Sequence, residues 1–255
     1  MQPHERVTAA IAAATREGRT ALVPFVTAGY PEPRDFARTL RGIAAVADVV
    51  EIGVPFSDPM ADGMTIQRSS FAAIEKGVTL RWIFDELDTA KIATPLVMMS
   101  YLNPLMAFGF QSLAARAAAT GVCAFIVPDL PFEESDELRA VLEEEGIGLV
   151  QLVTPATPAP RLAMLANASK GFVYAVTVTG ITGGTKGLPA NLAQYLDAVT
   201  AVSPLPVCAG FGIRSAADVG NVGKHAAGAI VGSALVEILE RGEDAAAFLW
   251  SLRES

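Results

Sequence analysis

Histidine is almost missing from this chain: its 255 residues include only His4 and His225. Neither closes one of the apolar runs that read as strands. Histidine general-base schemes and His-rich metal sites therefore have nothing to start from. Lysine is nearly as scarce. Lys76, Lys91, Lys170, Lys186 and Lys224 all fall outside those runs, whereas the imine-forming lysine of a barrel aldolase has to point inward from one. The two cysteines, Cys123 and Cys208, sit in the runs VCAFIV and PVCAG. They read as buried thiols with no disulfide framework, which suits a reducing cytosol. The N-terminal MQPHERVTAAIAAATREG mixes charge into its apolar residues, as an amphipathic helix does and a signal peptide does not. No run approaches the roughly 18 apolar residues of a membrane span. Positive charge is in deficit too, with 19 Lys and Arg against 27 Asp and Glu. That balance argues against nucleic acid and anionic membrane surfaces as partners. It leaves room for an anionic small molecule, because a few backbone N–H groups bind one whatever the net charge.

What the chain does have is apolar content, 51% of residues, distributed in eight short runs. These are Ala21–Val26, Asp48–Ile52, Leu96–Met99, Val122–Val127, Leu149–Val153, Phe172–Val176, Pro206–Ala209 and Ala229–Val231. They are almost continuously apolar rather than alternating, the pattern of parallel strands covered on both faces. Helical spacing fills the gaps: Phe36, Leu40, Ile43 and Ala47 share a face, as do Leu80, Ile83, Phe84 and Leu87. The segment EESDELRAVLEEEG places acids in a first turn, buries Leu138, Val141 and Leu142, and stops at Gly146. Eight alternations over residues 1–255, with no linker, predict a single-domain α/β fold: a (β/α)8 TIM barrel with an additional N-terminal helix. A doubly wound open sheet is the alternative, and no GxGxxG follows the first run to support it.

A barrel of this kind builds its active site from the loops that follow its strands. The second run, within VVEIGVPFSDPMADG (Val49–Gly63), carries Glu51 near its end and opens a loop holding Asp58 and Asp62, stiffened by Pro55 and Pro59. Glutamate is depleted in strands. An unpaired carboxyl at an apolar mouth holds its proton more tightly than in water and can shuttle it near neutral pH. Asp58, in SDP, reads as a structural or contact residue; Asp62 is either a solvated loop acid or a second site carboxylate. Tyr174 lies towards the end of the sixth run, where a tyrosine is as often packing as chemistry. Phe25, Ile66 and Phe211 are placed to line the mouth as a slot for a flat ring. The seventh run leads into Phe211-Gly212 and the eighth into Gly232-Ser233, which opens a helix. Glycine lets backbone approach a ligand, and a helix N-terminus offers N–H groups to an anion. Loops after strands 7 and 8 are a frequent phosphate site in such barrels, and Gly183–Gly184 adds donors beside them.

The stretches PFVTAGYP, EIGVPFSDPMADGMTIQ, SYLNPLMAFG, FIVPDLPFEES, GFVYAVTVTGITG, AGFGIRS and IVGSAL resemble, over essentially the whole chain, the α subunit of tryptophan synthase. EIGVPFSDPMADG is the most specific of them. The resemblance implies cleavage of indole-3-glycerol phosphate to indole and glyceraldehyde 3-phosphate. It implies that Glu51 is the acid/base that protonates indole C3 and that Asp62 bonds the indole N–H. Tyr174 would stand near Glu51; Gly183, Gly212, Gly232 and Ser233 would hold the phosphate; Thr182 would belong to a mobile loop. It further implies a tryptophan synthase β chain as partner in a cytoplasmic α2β2 tetramer, faced by Asp58, Pro59, Asn103 and Pro131. Pyridoxal phosphate would belong to that partner, with no cofactor or metal in this chain. Three features depart from the family pattern. Met64 stands where proline is common, Val178 stands where arginine is common, and GTKGLP after Gly183 is shorter and richer in glycine.

Three rival readings use the same residues. Another phosphate-binding barrel, such as a sugar-phosphate isomerase of amino-acid biosynthesis, would share the phosphate loops but not the Glu51/Asp62 loop. A two-carboxylate glycosidase has no use for a phosphate site. A non-catalytic barrel that activates a partner has no need of both Glu51 and Asp62.

Overall fold

Eight parallel strands pair in chain order, and the last returns to the first to close a barrel. They are β1 (Ala21–Thr27), β2 (Val50–Gly53), β3 (Leu96–Met99), β4 (Val122–Ile126), β5 (Gly148–Val153), β6 (Val173–Val176), β7 (Val207–Gly210) and β8 (Gly228–Val231). The computed structural model describes residues 1–177, 191–210 and 212–253, and twelve α-helices lie among them. No helix among the described residues is long and apolar enough to cross a membrane.

Strand bounds fall within two residues of the apolar runs. β2 starts at Val50, and the Asp48 side chain just before it braces β1 and Arg253. Its Oδ2 accepts from the Leu22 N–H at 2.8 Å and from the Arg253 guanidinium at 2.9 Å. The helix Phe36–Ala44 buries Phe36, Leu40 and Ile43 but ends before Ala47, which is half-buried. The helix Asp136–Glu144 buries Leu138 and Leu142, while Val141 sits half-buried on its flank. In the helix Leu80–Ala90, Leu80, Ile83, Phe84 and Leu87 are all buried as expected.

Strand residues divide by parity into two apolar layers, as side chains on alternate faces must. Leu22, Val26, Val50, Ile52 and Met98 pack outward against the helices. Ala21, Val23, Phe25, Val49, Val97, Tyr174 and Cys208 pack inside the barrel. Val7, Ile11 and Ala14 of the helix Pro3–Arg16 join that inner cluster. This helix therefore seals the end of the barrel where the strands begin. It is tied there by Thr8 Oγ1 donating to Gly171 O at 2.6 Å and by a 2.8 Å bond between His4 Nδ1 and Gly146 O. The strands' C-terminal ends form the open mouth.

Candidate active site

Val50 and Ile52 face outward and Val49 inward, so Glu51 between them projects into the barrel. It is paired across to Phe25 on β1 and Val97 on β3. Only 1% of Glu51 is exposed. Among the described residues its Oε2 finds no hydrogen-bond partner. Burial, and then the nearby charge of Asp62, push the Glu51 carboxyl up to about 8. A charged carboxylate left dry and unpaired is costly, so the group holds its proton near neutral pH.

Asp62 lies at the far end of the loop after β2, just before Gly63, the N-cap of the helix Met64–Glu75. Its carboxyl is also raised by burial, and Tyr101 counters that rise. The Tyr101 hydroxyl donates to Asp62 Oδ2 at 3.2 Å and accepts the Ala61 N–H at 2.8 Å. The Tyr101 ring stacks on Phe56, centroids 5.0 Å apart. Gln67 reaches back from the helix and donates to Asp62 O at 2.8 Å. Two residues on, Ser69 Oγ donates to Ile66 O at 2.8 Å, so its 2.7 Å bond to Thr27 is donated by the threonine hydroxyl. The loop carrying Asp62 is thus tied to Tyr101, just past β3, and to its own helix, which the Thr27–Ser69 bond fixes to β1. Met64 takes the first helical position and is exposed.

Phe25 links the acid strand to the end of β8. Its ring fills the space a side chain at Gly53 would need, 2.3 Å from where that Cβ would lie. Its own Cβ is 3.8 Å from the corresponding point at Gly232. Tyr174 fills the equivalent space over Gly210, its hydroxyl 2.3 Å from the would-be Cβ. Burial, then the charges of Glu51 and Asp62, push the Tyr174 phenol well above its ordinary range. Ile66 packs against the inner cluster. Gly232 is the N-cap of the helix Ser233–Glu240 and, as a glycine, has no side chain of its own to cap it. The first helical bond there is Val236 N–H to Gly232 O, so the N–H groups of Ser233, Ala234 and Leu235 have no intrahelical acceptor. Gly212 is exposed and left-handed, with φ +87°, a conformation glycine adopts at no steric cost. Thr182, Gly183, Gly184, Lys186, Val178 and Phe211 lie outside the described residues.

Asp58, Asn103 and Pro131 are exposed and Pro59 half-buried. All follow β2, β3 or β4, at the mouth end. His4 and His225 are engaged elsewhere, His225 with Asp197 at 2.8 Å. Among the described residues no three His, Cys, Asp or Glu side chains gather as they would around a metal ion. Tyr101, Gln67 and the Thr27–Ser69 pair went unread in the sequence. SYLNP marks Tyr101 as following a strand, but nothing local says its hydroxyl meets Asp62.

Fold and site together define a (β/α)8 barrel whose mouth brings two protonation-tuned carboxyl groups beside a glycine-lined helix N-terminus. The family model for the tryptophan synthase alpha chain matches residues 11–251, and the chain belongs to that family. It is 44% identical over 241 residues to a tryptophan synthase alpha chain of Nitratidesulfovibrio vulgaris, covering 92% of this chain and 94% of that one. A relative of the same description from Roseiflexus castenholzii is 44% identical over 230 residues, covering 88% and 87%. Among solved structures, a chain of the M. tuberculosis tryptophan synthase in an open form superposes with TM-score 0.88 at 33% identity, covering 97% of each chain. A chain from the α2β2 tryptophan synthase complex of Pyrococcus furiosus superposes with TM-score 0.84 at 36% identity, covering 92% of this chain and 98% of that one.

Proposed function

We propose that this chain cleaves indole-3-glycerol phosphate to indole and glyceraldehyde 3-phosphate, with Glu51 moving both protons. The carrying observation is the buried Glu51 carboxyl, whose Oε2 has no partner among the described residues and which keeps its proton up to about pH 8. The neutral acid gives its proton to indole C3, and the ring becomes an electron sink. The carboxylate so formed takes the proton of the C3′ hydroxyl as the C3–C3′ bond breaks. The bond's electrons return to the ring, the aldehyde forms, and Glu51 ends protonated as it began. Each proton-transfer role is worth about 10²–10⁴ in rate. Asp62, steadied by Tyr101, accepts the indole N–H and offsets the positive charge that ring protonation creates. Phe25, Ile66, Phe211 and Tyr174 form the slot for the ring. Gly183, Gly212, Gly232 and Ser233 form the phosphate cup, and Thr182 closes over the site.

Both protons are handled by side chains of this chain, so the reading assigns it no cofactor. Pyridoxal phosphate belongs to the β chain, which faces Asp58, Pro59, Asn103 and Pro131 in an α2β2 complex and takes up the indole. Two buried free thiols suit work in the cytoplasm. The test is indole release by the purified chain, alone and with its cognate β chain. Slow release alone and faster release in the mixture are expected. No indole under either condition would reject the reading in favour of a barrel that only binds.

A further inference from the structure

The loops after β7 and β8 carry one basic side chain among the described residues, Arg214, two positions after Gly212. Its backbone is fixed: the Arg214 and Ser215 N–H groups both donate to Asp218 Oδ2 at 3.0 Å. Ser215 and Asp218 form the capping box of the next helix. The guanidinium forks onto the Glu237 carboxylate, with Nη1 on Oε1 at 3.4 Å and Nη2 on Oε2. Glu237 stands four residues after Ser233 on the helix Ser233–Glu240. Residues so spaced are neighbours on one helix face, about 5–6 Å apart at Cβ. Glu237, which holds the guanidinium, therefore sits one turn along the helix from Ser233, and half of the Arg214 side chain is open to solvent. The neighbouring cations are engaged elsewhere: Arg68 with Glu240 and Arg241 with Glu243.

A phosphate monoester carries a charge of about −1.5 to −2 at neutral pH. Backbone N–H groups can hold such an anion, and a planar guanidinium is the side chain best matched to add a full counter-charge. We propose that Arg214 is the counter-charge of the substrate's phosphate, exchanging Glu237 for the dianion when substrate binds. The inference rests on the cup described under the proposed function. Glu237 is then a competitor for the guanidinium, kept in place by Thr65, whose Oγ1 donates to Glu237 Oε1 at 3.4 Å.

Competition sets opposite signs for two variants. Binding of glycerol 3-phosphate to the full-length chain is measured by calorimetry at low and high salt. Arg214→Ala weakens binding about five- to tenfold at low salt and less at high salt, where screening has already removed part of the attraction. Glu237→Gln, which keeps the shape and removes the competing charge, tightens binding about two- to fivefold. The double variant behaves like Arg214→Ala. In turnover the same changes appear in KM with kcat nearly constant, because the phosphate does not react. Gly212→Asp separates the two layers of the argument, since it blocks the cup itself. Wild-type binding abolished by Gly212→Asp but untouched by Arg214→Ala would overturn the role of Arg214 and leave the cup standing. Equal weakening by Arg214→Ala and Glu237→Gln would also overturn it, because that is the behaviour of an ordinary structural ion pair. No binding by the wild-type chain would overturn cup and counter-charge together.

Discussion

The raised proton affinity of the Glu51 side chain makes folding depend on pH. The folded chain holds its proton up to about pH 8, against an ordinary value of 4.5. The proton is thus bound more tightly folded than unfolded. Its contribution to stability is complete below about pH 4.5 and drains away as pH rises through about 8. At about 1.4 kcal/mol per unit of displacement, the cost above pH 8 is on the order of a few kcal/mol. Glu51→Gln removes that cost. The variant is expected to melt higher than the wild type at pH 8 and to lose its advantage near pH 4.5, as thermal melts across that range will show. A variant that melts lower than the wild type at pH 8 would mean the carboxylate is paired, not stranded. The neighbouring carboxyl supplies a second prediction. Tyr101→Phe keeps the ring on Phe56 but removes the hydroxyl that donates to Asp62 and accepts from Ala61. Asp62 then loses the Tyr101 contact that holds its proton affinity down. The limb of the pH–rate profile that reports Asp62 should move to higher pH, with kcat lower by about tenfold. An unchanged profile would show that Tyr101 only fills space.

At the scale of elements, the apolar runs announced the strands because strands covered on both faces need apolar residues at every position. All eight were legible to within two residues. What stayed hidden is contact between elements. The sequence marked Tyr101 only as a residue after a strand, and Gln67 only as part of a helix. Their work depends on the path of the loop between β2 and the helix Met64–Glu75. The N-terminal helix was legible as amphipathic, but its burial under the barrel floor was not, since amphipathicity does not say what covers the apolar face. Ile11 is fully buried there, in the same cluster as Val23, Cys208 and Tyr174. Ile11→Ala is expected to cost about 2–5 kcal/mol of stability, read by urea unfolding, with kcat per folded molecule held because the acid groups sit at the opposite end. A fall in kcat without a fall in stability would show that the floor is coupled to the mouth.

For the whole molecule, barrel closure brings the ends of β1, β2, β3 and β8 to one rim, and it was this convergence that eight apolar runs foretold. Asp58, Pro59, Asn103 and Pro131 crowd the same rim, so a partner seated there would touch the loop that holds Asp62. On that reading, Asn103→Ala should reduce stimulation by the β chain more than it reduces the rate of the chain alone. Equal losses in both assays would move the partner surface elsewhere. The central claim remains that Glu51 moves the protons and does not merely shape the site. It is tested most directly by single-turnover cleavage of indole-3-glycerol phosphate by Glu51→Gln, with substrate affinity measured on the same preparation. The account predicts substrate binding close to that of the wild type and no detectable indole. Near-normal indole release by the glutamine variant would contradict it.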